Sequence, residues 1–190
     1  RSREEFLKLG GPQARGSNSG DLFIKSVNWK PVITAPHGYV LGLAFGIILE
    51  SDLIVAEEGT QIQLTETSRG LGGSKYWSLM QYRGATTFST EIALTGRFFG
   101  AEEGHAAGFI DRIAPKGKYL EVAKELAQQI NANPPLSVRA TVRTRRLKME
   151  QVGRESGAQL NALKLYLTED FHEAAKAFTE KRKPNKFKGR

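Results

Sequence analysis

The sequence lacks the residues from which disulfide frameworks and thiolate metal sites are built. It contains no cysteine and only three histidines, His37, His105 and His172, which lie far apart along the chain. Without cysteine, neither a disulfide bond nor a thiolate ligand can form. Scattered histidines also lack the close spacing that is typical of a histidine metal site. We therefore predict no metal centre, and we expect His37 and His105 to have packing roles.

Long apolar runs are missing as well. The longest candidate, residues 40–49, contains two glycines, and it is about half as long as the ~18 apolar residues that a membrane helix requires. The N-terminal residues are charged and lack the apolar segment of a signal peptide. The sequence begins with Arg1 instead of methionine, which indicates a fragment or a processed chain. These features predict a cytoplasmic protein without a membrane span.

Basic residues, in contrast, are in excess. The 190 residues include 28 lysines and arginines against 20 acidic residues, which gives a formal net charge of +8. Two basic segments stand out, and their members are Arg139, Arg143, Arg145, Arg146 and Lys148 in the first, and Lys181, Arg182, Lys183, Lys186, Lys188 and Arg190 in the second. Such segments are either solvated surface or binding sites for nucleic acid or a polyphosphate.

Apolar periodicity divides the chain into two parts. Short apolar runs alternate with helical patterns in residues 1–115, which predicts an α/β core, and helical patterns alone in residues 116–190 predict a helical C-terminal region. The predicted strands are 31–35, 52–56, 60–64 and 109–113. The predicted helices are a short one at the N-terminus, a turn at 22–28, and 41–50, 74–82, 86–94, 101–107, 116–132, 135–151, 157–167 and 170–181. Asp170 and Glu173 have the spacing of a capping box that opens the last helix.

A glycine turn joins the first predicted strand to a strongly apolar helix. Glycines at positions 38, 42 and 46 accompany this change from strand to helix. The first amides of a helix have no acceptor within the helix, and they carry the positive end of its dipole. This arrangement suits a developing negative charge on a substrate oxygen. The alternative is a glycine turn that serves tight packing alone.

Glu66 is the second candidate for chemistry. It follows a strand of apolar and β-branched residues and precedes a loop that contains Gly70, Gly72 and Gly73. A carboxylate at the exit of a buried strand can lie in an apolar pocket, where desolvation raises its pKa and suits it to proton transfer. The alternative is a surface glutamate at the end of a strand.

Several segments together resemble the enoyl-CoA hydratase/isomerase (crotonase) family. Residues 30–42, KPVITAPHGYVLG, resemble the family pattern K-P-V-I-A-A-V-N-G-x-A-x-G-G-G. Further matches, in the family's order, are DLIVA at 52–56, ALTGR at 93–97 with AEE at 101–103, AGFIDRI at 107–113 and the tail AFTEKRKP at 177–184. The resemblance covers about residues 20–190.

The resemblance implies a partial ββα superhelix, over residues 1–115, with C-terminal helices at 116–190 that mediate trimerisation. Members of the family bind acyl-CoA, and two backbone N–H groups hold the thioester oxygen. The resemblance places one of these groups at Leu43, just past Gly42. The loop that normally supplies the other is absent, so the chain is expected to lack the first ββα turns and part of the CoA site. Alone, such a fragment is expected to be inactive.

The resemblance also implies the catalytic carboxylates. Hydratases of the family use two glutamates; the second matches Glu66, whereas the first falls on Gly46. Thr65 replaces the proline that usually precedes the second glutamate, and the loop after Glu66 is shorter than usual. Family isomerases move a proton between two carbons with one glutamate, so the loss at Gly46 disfavours plain hydration.

The remaining expectations concern the ligand and the partners. The resemblance places Phe178 and Lys181 near the adenine and the phosphates of CoA, and the alternative is a basic helix end at the surface. The N–H of Gly72 or Gly73 is expected to position a water or the acyl chain. No cofactor is expected, because CoA is part of the substrate. We predict a homotrimer or hexamer, and nucleic acid is not expected as a partner.

We therefore predict an enzyme that transfers protons on an enoyl-CoA thioester through an enolate held in an oxyanion hole. A second hypothesis is a non-catalytic CoA-binding or oligomerisation paralogue that has lost the hydratase glutamate. A third, the least favoured, is RNA binding through the basic segments, which would be marked by a steep dependence of affinity on salt.

Overall fold

The computed structural model describes residues 4, 8 and 29–190, with the side chain of residue 161 excepted. Glu4 and Lys8 are helical, but the rest of the predicted N-terminal helix and the turn at 22–28 lie outside the described residues. The strands are β1 (Ile33–Thr34), β2 (Tyr39–Leu41), β3 (Leu53–Glu57), β4 (Gln61–Gln63), β5 (Phe98–Gly100) and β6 (Arg112–Ala114). The helices are α1 (Leu43–Glu50), α2 (Ser74–Arg83), α3 (Thr86–Thr95), α4 (Ala101–Ala106), α5 (Tyr119–Asn131), α6 (Pro135–Leu163) and α7 (Glu169–Thr179), with 3₁₀ turns at Thr67–Arg69 and Leu165–Leu167.

The strands form two small sheets. One has the order β1-β3-β6 with both pairs parallel, and the other has the order β2-β4-β5 with a parallel and an antiparallel pair. The three central residues of β3 are buried. A parallel strand that is covered on both faces exposes neither side to water, which explains why β3 consists of a continuous apolar run. Strands β2 and β5 were not predicted, because each has only three residues and little apolar alternation.

An aromatic cluster at the centre of the core joins α1 to β5 and to the segment after α4. Phe45, on α1, makes edge-to-face contacts with Phe99 and Phe109 at ring-centroid distances of 6.0 and 6.3 Å. Such edge-to-face aromatic pairs stabilise the fold by more than the burial of their apolar area alone. The other large side chains that are fully buried within the described part of the chain are Leu49, Ile54, Val55, Ile62, Leu64, Leu79, Met80, Ile92 and Met149. Residues 109–110, predicted as the start of a strand, are a buried turn, and the strand begins at Arg112.

The C-terminal helices differ from the prediction in two respects. Residues 135–151 and 157–167 belong largely to one helix, α6, which runs unbroken over 29 residues. The helix includes glycines at positions 153 and 157, and a glycine within a helix costs only about 1 kcal/mol, which the packing of α6 on α2 outweighs. The predicted capping box is wrong, since Thr168, and not Asp170, caps α7 by accepting a hydrogen bond from the Phe171 N–H at 3.1 Å.

An ion-pair network fixes α6 to the core. Asp52 accepts hydrogen bonds from the Val32 N–H at 2.8 Å, from Arg145 Nη1 at 3.0 Å and from Arg146 Nε at 3.1 Å. The side chains of Asp52 and Arg146 are 6% and 4% exposed. Arg146 is therefore an internal ion-pair partner, which removes it from the surface that the RNA-binding hypothesis requires, whereas the paired Arg145 side chain stays 24% exposed.

Within residues 29–190, no helix combines the length and the apolar character that a bilayer span requires. The predicted division of the chain at residue 115 stays a prediction.

Candidate active site

The parallel pairing of β2 with β4 brings the start of α1 next to Glu66. Leu41 pairs with Gln63, and the Gly42 N–H donates to the Gln63 carbonyl at 3.3 Å. Because parallel strands leave the sheet at the same edge, the residues that follow them lie side by side. Gly42 has φ 52° and ψ −118°, and a Cβ atom there would lie 3.0 Å from Thr65 Oγ1. Only glycine fits both this backbone conformation and this close approach.

Leu43 is the first residue of α1. The first hydrogen bond of the helix runs from the Gly46 N–H to the Gly42 carbonyl at 3.2 Å, so the Leu43 amide has no acceptor within the helix. Leu43 is 75% exposed, so its side chain packs little against the core, and its backbone N–H is the group that can act in the site. This N–H group is placed at the positive end of the helix dipole, beside the segment that carries Glu66.

Glu66 occupies a partly desolvated position. Its Oε2 atom is buried and accepts no hydrogen bond from any of the residues that the structure describes. Burial raises the pKa of the Glu66 carboxyl above its ordinary value of 4.5, against the opposing effect of hydrogen bonds from its own backbone and from Thr65. A carboxylate with a free, desolvated oxygen and a raised pKa is suited to accept and return a proton.

Tyr76 fills the space above Gly46, where the resemblance expected a carboxylate. A Cβ atom at Gly46 would lie 2.7 Å from Tyr76 Cε1 and 2.9 Å from its Oη. Burial raises the pKa of Tyr76 to about 12, and the nearby charges of Glu66 and Glu50 act in the same direction. The phenol is therefore neutral at physiological pH. Sequence reasoning missed Tyr76, because the packing of α2 on α1 brings it to the site across 30 residues of chain.

Glu50 is a second missed residue, one helical turn beyond Gly46 on the same face of α1. Its side chain is 5% exposed and forms an ion pair with Lys75 Nζ at 2.8 Å. The spacing of four residues from Gly46 was a signal that could have placed Glu50 near the site. Its pairing with Lys75 could not be read from the sequence. The pair fastens α1 to the start of α2 directly next to Tyr76.

Gly72 and Gly73 line an open cleft of about 340 Å³. The cleft lies between the 3₁₀ turn, α2 and α3, and its lining residues are Thr67, Gly72, Gly73, Ser74, Trp77, Thr90, Ala93 and Leu94. Both glycines also permit close packing, since a Cβ atom at Gly73 would lie 2.5 Å from Leu64 Cδ2 and one at Gly72 would overlap Leu160. The mostly apolar lining is suited to a hydrocarbon chain.

The structure brings Phe178 to the loop that follows Glu66, whereas Lys181 lies further out. The guanidinium carbon of Arg69, in the 3₁₀ turn, lies 3.9 Å above the Phe178 ring centroid. The Phe178 side chain is still 63% exposed, which leaves the ring accessible. Lys181 is exposed and has φ 53°, just past the end of α7. The contact of Arg69 with Phe178 joins the end of α7 to the 3₁₀ turn that follows Glu66.

Two of the histidines make local contacts. The His37 ring stacks on Tyr119 with a centroid distance of 4.6 Å, and His105 Nδ1 lies 2.8 Å from the Ile110 carbonyl oxygen. Among residues 4, 8 and 29–190, no three histidine or acidic side chains cluster in a way that could hold a metal ion.

Comparison with known proteins identifies the family. The sequence profile described as enoyl-CoA hydratase/isomerase matches residues 18–190. A putative enoyl-CoA hydratase from Thermus thermophilus is 34% identical over 158 residues, which are 82% of this chain and 62% of that protein. The mevalonyl-coenzyme A hydratase sidH from Aspergillus fumigatus is 35% identical over 161 residues, which are 82% of this chain and 59% of that protein. The chain thus spans less than two thirds of the length of these relatives.

Solved structures agree with the sequence comparison. A carnitinyl-CoA dehydratase from Mycobacterium avium is 30% identical and superimposes with a TM-score of 0.68 over 85% of this chain and 65% of its own. A carnitinyl-CoA hydratase from the same species is 29% identical, with a TM-score of 0.72 over 98% of this chain and 74% of its own. The two small sheets and the C-terminal helices are therefore part of a crotonase fold, and the chain belongs to the enoyl-CoA hydratase/isomerase family.

Proposed function

We propose that this chain carries the base and one oxyanion-hole donor of an enzyme that transfers protons on an acyl-CoA thioester. The proposal depends on Glu66, which has a buried carboxylate oxygen without a hydrogen-bond partner among the described residues. Glu66 directly follows Thr65, whose Oγ1 lies 3.0 Å from the Cβ position of Gly42 at the start of α1. The relatives support an acyl-CoA substrate, since each of them is named for an acyl-CoA on which it acts. Proton transfer of this kind needs a base and hydrogen-bond donors, so the proposal includes no metal ion and no redox cofactor.

The reaction begins with proton abstraction. Glu66, in its carboxylate form, removes a proton from a carbon next to the thioester or conjugated with it, and the electron pair moves to the thioester oxygen. The Leu43 N–H donates to this oxygen, where the negative charge of the enolate develops. The protonated Glu66 then returns its proton to another carbon of the same system. The raised pKa of Glu66 favours both steps, because a catalytic base works best when its pKa approaches the operating pH.

The substrate is proposed to lie across three surfaces. The acyl chain enters the cleft lined by Gly72 and Gly73, and the thioester lies between Leu43 and Glu66. The nucleotide end of CoA meets the exposed ring of Phe178 and the ammonium of Lys181. An aromatic ring near a purine and a cation near a phosphate are favourable contacts. The proposal assigns no residue of this chain to the second N–H donor of the oxyanion hole.

The test replaces Glu66 by glutamine, which keeps the shape of the side chain and removes the base. The 190-residue chain, and the same chain joined to the N-terminal turns of a family member, are incubated with acyl-CoA in D₂O. Deuterium incorporation, 3-enoyl-CoA isomerisation and 2-enoyl-CoA hydration are followed. Loss of one positioned base is expected to lower turnover by ~10²–10⁴-fold.

The matched control is Glu125→Gln, since Glu125 is exposed on α5. This variant is expected to retain the turnover of the unaltered protein. Unchanged turnover of every substrate by Glu66→Gln would show that the assigned role is wrong.

A second candidate function is a CoA-binding paralogue without turnover. Gly46 favours it, because one of the two expected carboxylates is absent and Tyr76 fills its space. Binding of CoA by calorimetry without deuterium exchange, in both forms of the protein, would establish this alternative.

Assembly into a homotrimer or a hexamer is proposed together with either function. Leu136, Leu147 and Leu163 on α6 are 76%, 51% and 65% exposed, and exposed leucines on one element are typical of a surface that a partner covers. Light scattering after gel filtration measures the mass of the assembly. The cytoplasmic location expected from the sequence stays a prediction.

A further inference from the structure

Gly46 and Tyr76 form one structural unit. The Cβ position of Gly46 lies 2.7, 2.9 and 3.0 Å from Cε1, Oη and Cζ of Tyr76. Distances below about 3.0 Å between such atoms require one of them to move. No side chain therefore fits at position 46 while the Tyr76 ring keeps its place, and the ring occupies the space that a side chain there would need.

The ring is held in this place from two sides. Phe45 contacts it edge-to-face at a centroid distance of 6.0 Å. The preceding residue, Lys75, forms an ion pair with the buried Glu50 at 2.8 Å. Both contacts join α2 to α1, so the helix that carries Tyr76 is held against α1 next to Gly46.

Resting on the proposed function, we propose that Tyr76 determines the reaction specificity of the site. Its ring closes the space above Gly46, where the second carboxylate of a hydratase would lie. The nearby Glu50 carboxylate forms an ion pair with Lys75, so Glu66 is the carboxylate that we assign to the substrate. The substrate class that follows is an acyl-CoA whose reaction moves a proton from one carbon to another and adds no water. A 3-enoyl-CoA has this chemistry, since one C–H bond breaks, the double bond shifts, and one C–H bond forms.

The electrostatics of the site agree with this assignment. Addition of water requires a base for the water as well as a proton for the carbon. Burial, together with Glu66 and Glu50, raises the pKa of Tyr76 to about 12. A neutral phenol donates and accepts hydrogen bonds but is a weak base near pH 7, so it does not replace the missing carboxylate.

The first experiment tests the packing and needs no substrate. Melting temperatures are measured for Gly46→Ala in three backgrounds, which carry Tyr76, Tyr76→Phe or Tyr76→Ala. Alanine within a helix is ordinarily better than glycine. We expect Gly46→Ala to lower the melting temperature when a ring is present at position 76 and to raise it in the Tyr76→Ala background. An equal effect in all three backgrounds would overturn the inference.

The second experiment tests specificity. The ratio of 2-enoyl-CoA hydration to deuterium exchange is measured for the unaltered protein, for Tyr76→Ala and for Tyr76→Ala combined with Gly46→Glu. The double variant supplies both the space and the second carboxylate, so the ratio is expected to rise at least tenfold, since a positioned acid or base contributes ~10²–10⁴-fold. The single variant supplies space alone and is expected to show a smaller rise.

The outcomes separate the two proposals. Exchange that depends on Glu66, together with an unchanged ratio in both variants, would overturn the role of Tyr76 and leave the proposed function standing. Absence of exchange both in the 190-residue chain and in the chain joined to the N-terminal turns of a family member would overturn the proposed function and the role of Tyr76 with it. If the double variant does not fold, the melting temperatures and the Tyr76→Ala ratio decide the matter.

Discussion

Replacing Asp52 by asparagine is expected to loosen the long helix α6 from the core. The Asp52 carboxylate receives hydrogen bonds from Arg145 and Arg146, which lie 93 and 94 residues later in the chain. Asparagine has nearly the same shape, but its amide nitrogen cannot accept a hydrogen bond and its side chain carries no charge. The variant therefore removes the negative charge that faces the Arg146 guanidinium, whose side chain is 4% exposed.

The magnitude follows from the burial of the pair. Removal of one partner of a buried ion pair costs ~3–5 kcal/mol, because the other charge stays desolvated. For a chain of this size, each kcal/mol lowers the melting temperature by ~2–4 °C. We expect Asp52→Asn to lower the melting temperature by roughly 6–20 °C on these two scales.

Urea unfolding followed by circular dichroism measures the free energy of unfolding of both proteins. The matched control is Glu121→Gln, which makes the same change from carboxyl to amide in a pair with Lys118 whose side chains are 59% and 58% exposed. Such a pair contributes little in water, so its loss is expected to be too small to resolve. A loss for Asp52→Asn no larger than that of the control would refute the reasoning about the buried network.

Two further predictions concern Glu66 and Thr168. Glu66→Gln is expected to stabilise the fold near neutral pH, because burial raises the pKa of the native carboxyl above that of the unfolded chain. The gain in the free energy of unfolding should shrink as the pH falls and disappear below the ordinary pKa of a glutamate. A gain that does not depend on pH, as measured by urea unfolding, would contradict this expectation. Thr168→Ala removes the cap of α7 and is expected to cost about 1 kcal/mol. Thr141→Ala, at an exposed position within α6, is its control and is expected to be neutral or stabilising by the same measurement.

The sequence by itself determined the first strand, the glycine turn and the buried helix α1, but not strand β2, which lies between Gly38 and α1 and pairs with β4. The apolar run before Gly38, the glycines at 42 and 46 and the polar exit at Glu66 are local signals, and they predicted a strand, a turn and a buried helix within two residues of their observed bounds. The same residues carried the family resemblance that the comparisons confirmed. Local signals suffice here because turns and buried runs depend on near neighbours.

Tertiary structure decided which side chains share the site. Tyr76 reaches Gly46 only because α2 packs on α1, and two arginines that looked like surface charge reach Asp52 only because α6 crosses the core. The contact between Gly46 and Tyr76 spans 30 positions of the chain, and the contact between Asp52 and Arg146 spans 94. The sequence records the charge and polarity of each residue but not its contact partner in the fold. That partner determines whether a guanidinium is solvated or buried, and whether the space next to a glycine is open or filled by another side chain.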